Sequence, residues 1–349
     1  MRMLARQFNR LRCAKRLIYK EPDFSCHESQ HMSERDTKPE ASAQVFDAVK
    51  GNWVDTKAPA WARGYLRLSR MDRPIGTWLL LIPCWWGLLL AILEKNDPRL
   101  SDLWVFFGCA IGALLMRGAG CTWNDITDRN LDGQVARTKS RPIPSGQVRV
   151  KQALIWMLIQ VALAALILLS FQKAAIFLGL IALLPVVIYP FAKRFTWWPQ
   201  AFLGIAFNWG ALLGYAAHSG GLSLPAFLLY FAGIAWTLFY DTVYAHQDTE
   251  DDALIGIKST ARLFGDDSLI WLRWFTVASG ILMVSAIFVA LESGPRVFCT
   301  LGVFAFMSHL FWQLRRLDIK DETVLLRIFR SNRDAGLLPL AFFVVALIV

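Results

Sequence analysis

Apolar residues dominate this chain in long blocks separated by short polar segments, from about residue 76 to the end. Nine blocks approach the length of about 20 residues that a helix needs to cross a bilayer. They cover approximately 76–93, 103–122, 152–170, 174–192, 199–216, 226–245, 271–291, 296–313 and 334–349. Helices of a soluble protein would show an apolar stripe opposite a polar face. The uniform runs therefore predict an all-α, polytopic membrane protein with a bundle of about nine transmembrane helices.

The composition agrees with this prediction. Hydrophobic residues make up 55% of the chain and charged residues only 18%, which is unlike a pair of soluble domains. Several of the 15 tryptophans, such as Trp104, Trp123 and Trp198, lie near run ends, where interfacial aromatic side chains are common. The six cysteines include no Cys-x-x-Cys pair, so the sequence supports neither a disulfide framework nor a zinc site.

Basic residues are distributed unequally between the two ends of the runs. The net charge is +10, yet the loops on one predicted side of the membrane contain four basic residues: Lys95, Arg99, Lys173 and Arg296. The loops on the other side hold most of the rest, as expected for the cytoplasmic or matrix side. This asymmetry explains the positive charge without nucleic-acid binding.

The first 60 residues differ from the remainder. Residues 1–20 contain seven Lys or Arg residues and no acid, with apolar residues between them, which predicts a mitochondrial presequence. A basic tail that contacts anionic lipid is the alternative. Residues 21–60 are polar and mixed in charge, which predicts a disordered linker. The transmembrane domain is expected to cover residues 61–349.

An acid-rich segment follows the second apolar run. Helical spacing places Asn124, Asp128 and Asp132 on one face, with Asp125 beside them. Carboxylates this close repel one another unless a cation lies between them. Mg²⁺ commonly takes a few carboxylates together with oxygens of a phosphorylated substrate. The segment therefore predicts a site for Mg²⁺ and a diphosphate.

Basic residues come directly after this segment. Arg137, Lys139 and Arg141 precede a Pro-Ile-Pro-Ser-Gly turn, and arginine can bind phosphate in a bidentate manner. Two other known patterns fit only in part. An EF-hand loop requires Glu where Lys139 stands, and a CDP-alcohol phosphotransferase site requires aspartates where Val150 and Leu154 stand.

A second acid-rich segment follows the sixth run, on the same predicted side of the membrane. Helical spacing places Asp241, Asp248 and Asp252 in one stripe, with Tyr244 on it. Lys258 follows this segment and adds positive charge to the loop. Two acidic helix ends, each followed by basic residues, predict two arms of one metal-dependent site. Four helices separate the two acid-rich segments, which suggests that the two halves of the chain form a pseudo-repeat.

The segment before the first run also holds charged residues. Asp72 is predicted to cap the helix, and Pro74 to occupy its first turn. Arg70 and Arg73 are then free to face the site and hold a substrate carboxylate. The alternative is that both arginines serve only as topology signals.

Together these segments resemble the UbiA superfamily of intramembrane prenyltransferases, and within it the 4-hydroxybenzoate polyprenyltransferases of ubiquinone synthesis. The motifs that carry the resemblance are Asn124-Asp125-x-x-Asp128-x-x-x-Asp132, Arg137 to Gly146, Asp241-Thr242-x-Tyr244-Ala245-x-x-Asp248, Gly256 to Thr260, and Arg70 to Gly76. The resemblance covers roughly residues 61–349 and implies a UbiA-type helical bundle.

The resemblance implies Mg²⁺-dependent transfer of a polyprenyl group from polyprenyl diphosphate to the ring carbon ortho to the hydroxyl of 4-hydroxybenzoate. The implied metal ligands are Asn124, Asp125, Asp128, Asp132, Asp248 and Asp252. The implied substrate-binding residues are Arg70, Arg73, Asn124, Arg137, Lys139, Arg141 and Lys258. The aspartates of both arms are expected to be catalytic, with Asp241 and Tyr244 stabilising an allylic cation.

With the basic N-terminus, the resemblance implies the mitochondrial inner membrane, a site facing the matrix, and contact with membrane lipid. It also allows association with other ubiquinone-pathway proteins. A family member that uses haem, homogentisate or a naphthoate as acceptor would have the same two metal-binding arms, so these acceptors stay alternatives. A transporter is an alternative from another class, but transporter ion sites lie near the bilayer midplane on broken helices. Here the acids lie at run ends with bases beside them.

Overall fold

The computed structural model describes residues 49, 51–134 and 138–348. The predicted presequence, most of the predicted linker and Arg137 lie outside the described residues. The end of the predicted linker is helical, because Asn52 caps a short helix and accepts a hydrogen bond from the Asp55 N–H at 3.1 Å. Val54 in that helix is fully buried, so the folded part begins before Trp61.

The described residues form helices joined by short loops, with no strand among them. In chain order the helices are α1 (Trp53–Thr56), α2 (Ala60–Leu68), α3 (Ile75–Lys95), α4 (Leu100–Asp132), α5 (Val150–Leu168), α6 (Lys173–Ile181), α7 (Leu183–Phe195), α8 (Pro199–Ser219), α9 (Leu224–Ala245), α10 (Thr249–Leu254), α11 (Thr260–Phe264), α12 (Ser268–Ala290), α13 (Ser293–Arg316) and α14 (Glu322–Ala346). The predicted all-α class is confirmed.

Each of the nine predicted runs coincides with a long helix, the fourth with the pair α6 and α7. By length and composition, seven helices in the described part of the chain could cross a membrane. Helices α8 and α14 are not among the seven, since α8 contains polar residues such as Gln200, Asn208 and His218, and α14 begins with charged residues. The number of nine spans stays a prediction.

Helix α3 is the most buried of the candidate spans and packs against α4, α8 and α14. Trp86 of α3 donates a hydrogen bond to the Gly336 carbonyl at 2.9 Å and contacts Trp236, whose ring centroid is 5.0 Å away. Gly87 and Gly214 lie against the backbone of the facing helix, where a Cβ atom would collide. This close approach of α3 and α8 is the small-residue packing that membrane helices favour.

Candidate active site

Helix α4 continues past its apolar run and ends at Asp132, so the first acid-rich segment is helical throughout. Asp125, Asp128 and Asp132 are all buried, whereas Asn124 is partly exposed. The prediction that these residues share one region of a helix surface is confirmed. Three carboxylates in so apolar a setting require compensating charge.

Two of the three carboxylates are neutralised by arginines from other segments. The Arg70 Nη2 atom lies 2.5 Å from Asp125 Oδ1, and both side chains are buried. Arg141 Nη1 donates to both oxygens of Asp132, at 2.9 and 2.8 Å, and lies 3.6 Å from Asp125 Oδ1. Arg70 precedes α3 and Arg141 follows α4, so these ion pairs hold two chain segments against the end of α4.

The third carboxylate is neutralised by the end of α7. Lys193 Nζ lies 2.6 Å from Asp128 Oδ2, and Arg194 Nη2 lies 3.3 Å from Asp128 Oδ1. The Lys193 carbonyl also accepts a hydrogen bond from the Lys258 N–H at 3.1 Å. The loop after the second acid-rich segment is therefore joined to the first through Lys193.

The second acid-rich segment is not one continuous helix, so the predicted single stripe is wrong. Helix α9 ends at Ala245, a 3-10 turn spans His246–Asp248, and α10 begins at Thr249. The C-terminal end of a helix is negative and disfavours carboxylates, whereas the first turn favours them. The interruption places Glu250, Asp251 and Asp252 in the first turn of α10.

The prediction that Asp72 caps α3 is also wrong. Helix α3 begins at Ile75 with Pro74 at the N-cap position, and no side chain caps it. Asp72 is buried instead, and its Oδ2 lies 3.2 Å from Arg73 Nη2. Burial raises the pKa of Asp72 to about 6, although the charge of Arg70 opposes the shift. Burial also lowers the pKa of Arg73 to about 10, so Arg73 remains cationic at neutral pH.

A polar cavity of about 160 Å³ lies between the start of α3, the end of α9 and the first part of α14, and residues from the middle of α4 and from α7 and α8 complete its lining. Its lining includes five of the predicted site residues: Arg70, Arg73, Arg141, Asp241 and Tyr244. The ring centroids of Tyr244 and Phe329 are 4.5 Å apart, which orients the tyrosine. Four other described site residues lie elsewhere, Lys139 exposed and Asp248, Asp252 and Lys258 half-buried in the segments after α9.

An apolar cavity of about 250 Å³ adjoins the polar one and extends along α4. Its walls come from α3 to α8, and Asn124 lies at its acid-rich end. Leu80, Phe171 and Leu183 are typical of the wall residues. One cavity is apolar and the other is polar, and several residues line both of them.

Arg117 lines both cavities, and the sequence reasoning missed it. Its guanidinium carbon lies 5.4 Å from the centre of the Phe207 ring, and its buried Nε has no hydrogen-bond partner. Gly76 provides the space that the guanidinium occupies. Arg117 is the only charged residue in the run 103–122, and an ionisable residue inside a membrane span indicates function. The sequence analysis likewise assigned no place in the site to Lys193 and Arg194, which follow the fourth apolar run.

The donor atoms at the end of α4 suit a hard divalent cation. They are carboxylate and amide oxygens, and Asp125 Oδ2 is buried without a hydrogen-bond partner. Among the described residues, no group of three or more His, Cys, Asp or Glu side chains is close enough to hold a metal ion. Mg²⁺ needs only one or two carboxylates when substrate phosphates and waters complete its shell. The residues present therefore fit Mg²⁺ that arrives with a diphosphate.

The model of the UbiA prenyltransferase family matches residues 80–333. This chain belongs to the UbiA prenyltransferase family. It is 44% identical over 289 residues to the mitochondrial 4-hydroxybenzoate polyprenyltransferase of Arabidopsis thaliana, covering 82% of this chain and 69% of the relative. It is 46% identical over 288 residues to the protein of the same name from Bos taurus, covering 82% of this chain and 76% of the relative.

A solved structure supports the fold. The UbiA homologue from Archaeoglobus fulgidus bound to GPP and Mg²⁺ superposes with a TM-score of 0.61 at 20% sequence identity. The match covers 82% of this chain and all of the archaeal chain. The predicted UbiA-type bundle is thus confirmed.

Removing Arg70 alone should destabilise the protein, because it leaves the buried Asp125 carboxylate with less compensation. We expect Arg70→Ala to cost about 3 kcal/mol of unfolding free energy, measured by denaturation in detergent. Arg70→Ala combined with Asp125→Asn should recover much of that loss. The control is Arg333→Ala, whose exposed pair with Asp334 should contribute less than about 1 kcal/mol. Equal stability of both single variants would contradict the pairing.

Proposed function

We propose that this chain transfers a polyprenyl group from polyprenyl diphosphate to the ring carbon ortho to the hydroxyl of 4-hydroxybenzoate, a membrane step of ubiquinone biosynthesis. The observation that carries this proposal is the junction of two unlike cavities at Arg117. One cavity is apolar, as a prenyl tail requires. The other is rich in arginine, as an aromatic acid and a diphosphate require. The named relatives carry out the same reaction class.

The diphosphate of the donor is placed at the end of α4. The proposed Mg²⁺ ligands are Asn124, Asp125, Asp128 and Asp132 on this arm, and Asp248 and Asp252 on the other. When bound, Mg²⁺ would join these oxygens to the diphosphate and offset its negative charge. Further positive charge comes from Arg137, Lys139, Arg141 and Lys258, together with Lys193 and Arg194.

The reaction begins with cleavage of the bond between the first prenyl carbon and the diphosphate oxygen. The bonding electrons leave with the diphosphate, and an allylic cation remains. The ring of Tyr244 and the carboxylate of Asp241 both face the polar cavity, where they stabilise this cation. The ortho carbon of the phenol then forms a bond to the first prenyl carbon, and the proton that this ring carbon loses passes to the released diphosphate. The surrounding apolar bundle keeps water away from the cation.

The acceptor is placed in the polar cavity. A cavity of about 150 Å³ is known to hold one benzene molecule, so about 160 Å³ is a suitable volume for one aromatic ring. Arg70 and Arg141 already bind carboxylates of α4, and Arg73 pairs with its neighbour Asp72. Arg117 has an unpartnered buried Nε, so we add it to Arg73 as an anchor for the benzoate carboxylate.

The proposed location is the mitochondrial inner membrane, with the site facing the matrix. The basic residues 1–20 and the loop charges favour this location and orientation. The relatives are named as mitochondrial proteins. A site that adjoins the bilayer also suits the donor, whose polyprenyl tail is as apolar as lipid.

Purified full-length protein in liposomes should prenylate 4-hydroxybenzoate when supplied with a polyprenyl diphosphate and Mg²⁺, and EDTA should abolish the product. Mass spectrometry of the extracted lipid would identify the adduct. Release of diphosphate without a benzoate adduct would indicate another acceptor, such as homogentisate or a naphthoate. Absence of both products from folded protein would refute the proposed function.

Loss of either arm should remove activity while the fold persists. We expect Asp128→Asn and Asp248→Asn each to lower kcat by about 100-fold or more, because charge at the leaving diphosphate is then poorly offset. Asp334→Asn is the matched control, since Asp334 is exposed in a surface pair and lies outside both cavities. Near-normal turnover of both arm variants would contradict the two-arm site.

The arginine anchors can be tested separately from the metal arms. Arg117→Met keeps much of the side-chain volume but removes the charge, so we expect the KM for 4-hydroxybenzoate to rise about tenfold or more. The KM for the prenyl donor should change much less. Arg73→Met tests the second proposed anchor in the same way, by the KM for 4-hydroxybenzoate. Unchanged acceptor KM in both variants would place the carboxylate elsewhere.

A further inference from the structure

A chain of three buried polar side chains crosses from α8 to α9 and ends at the polar cavity. Asn208 Nδ2 donates a hydrogen bond to Thr237 Oγ1 at 2.7 Å, and Thr237 Oγ1 lies 3.0 Å from the Tyr240 hydroxyl oxygen. Each of the three residues is at most 1% exposed. Tyr240 lines the polar cavity, whereas Asn208 and Thr237 line neither cavity. Polar groups buried this deeply inside a helical bundle call for an explanation.

The direction of the first hydrogen bond is fixed by the Asn208 amide. Its Nδ2 atom also donates to the Gly204 carbonyl at 2.8 Å, and a carbonyl can only accept. The reverse orientation of the amide would place Oδ1 against the Gly204 carbonyl oxygen. Both Nδ2 protons are therefore used, and Thr237 Oγ1 is an acceptor. The orientation leaves Asn208 Oδ1 buried without a hydrogen-bond partner.

The second hydrogen bond then runs from Thr237 to Tyr240. In the described part of the chain, the Tyr240 oxygen is the only acceptor that the Thr237 hydroxyl proton reaches. If Tyr240 donated instead, Thr237 would keep a buried donor without an acceptor, which is unfavourable. The Tyr240 oxygen therefore accepts from Thr237, and the proton of the Tyr240 hydroxyl is left for another acceptor.

This proton lies beside a cavity with an excess of positive charge. The described lining of the polar cavity contains five arginines and one acid, Asp241. Asp241 and Arg117 both interact electrostatically with the Tyr240 hydroxyl. The rings of Trp236 and Phe329 hold the tyrosine ring, with centroids 5.2 and 6.0 Å from its own. A fixed hydroxyl that donates near an arginine suits an anionic ligand.

We propose that Tyr240 donates its hydroxyl proton in a hydrogen bond to the carboxylate of the aromatic acceptor, beside Arg117, and that Asn208 and Thr237 are positioning residues that fix this direction. The inference rests on the proposed function and adds a substrate-binding residue to it. A carboxylate can only accept, so a tyrosine that can only donate matches it. An uncharged group at the same place would form a weaker hydrogen bond, which favours an acid as acceptor.

Tyr240→Phe keeps the ring and removes only the hydroxyl. In liposomes with Mg²⁺, we expect the KM for 4-hydroxybenzoate to rise about tenfold or more, because a hydrogen bond to a charged group is lost. The kcat and the KM for the prenyl donor should change by less than about threefold. The inhibition constant of benzoate, which has the carboxylate but no ring hydroxyl, should rise by the same factor as the KM. Methyl 4-hydroxybenzoate lacks the negative charge and should inhibit both proteins about equally.

Thr237→Val tests the positioning role, because it removes the hydroxyl that donates to Tyr240 at nearly constant volume. We expect the KM for 4-hydroxybenzoate to rise about threefold in the wild-type background. In the Tyr240→Phe background the same substitution should add nothing, since Thr237 acts through Tyr240. A purely structural role of Thr237 would give the same loss in both backgrounds.

Tyr230→Phe is the matched control. Tyr230 is a buried tyrosine of the same helix that donates to the Ile205 carbonyl at 3.3 Å and lines neither cavity. Its loss of a hydroxyl should leave the KM for 4-hydroxybenzoate and the inhibition constant of benzoate unchanged. Thermal denaturation of each variant checks folding, and Thr237→Val with benzoate serves as the test if Tyr240→Phe does not fold.

The benzoate measurement decides the outcome. If Tyr240→Phe changes neither the KM for 4-hydroxybenzoate nor the inhibition constant of benzoate, the inference is wrong. If only the KM rises, Tyr240 contacts the ring hydroxyl, and the assignment to the carboxylate is overturned. A wild type that prenylates 4-hydroxybenzoate keeps the proposed function intact in both cases. A folded wild type that does not would refute the proposed function, and this inference with it.

Discussion

The structure depends on the neutralisation of three buried carboxylates at the end of one helix. Asp125, Asp128 and Asp132 of α4 are each paired with basic residues from a different part of the chain: the segment before α3, the end of α7 and the loop after α4. An unpaired charge in so apolar a bundle would cost several kcal/mol. The requirement for compensation therefore draws three other segments to the end of α4. Folding and construction of the site are consequences of the same electrostatic demand.

This arrangement has a direct chemical consequence under the proposed function. The bases that neutralise the α4 carboxylates are the bases that a diphosphate would meet. A substrate that brings both phosphate and Mg²⁺ supplies new partners to each group, so carboxylates and bases can exchange internal ion pairs for pairs with the ligand. Lys193 and Arg194 are an example of such an exchange, because both pair with Asp128 and the side chain of Arg194 is 44% exposed. The site is thus assembled before the substrate arrives, which reduces the entropy lost on binding.

Much of the fold could be predicted because apolar run length and helical spacing are local properties. The all-α class and the common surface of Asn124 to Asp132 followed from spacing alone. Three other features could not be predicted from local patterns. The break after α9 depends on the helix dipole acting on a cluster of acids, and the burial of Asp72 depends on contacts with distant segments. The role of Lys193 as the partner of Asp128 requires two residues 65 positions apart to meet, which no local pattern encodes. Arg117 could have been noticed, since a lone charge within an apolar run is unusual.

The shape of the cavities bears on the choice between catalysis and transport. A transporter needs a polar route that reaches both sides of the membrane in turn. Here the polar cavity lies at the acid-rich end of the bundle, and its neighbour is apolar and closed beside Phe171. At the opposite end of α4, Asp102 and His218 form a buried pair 2.8 Å apart that ties α4 to α8. A polar solute would have to cross the apolar cavity. An amphipathic donor does not, because its charged head and its apolar tail each meet a matching environment, which favours chemistry at the junction.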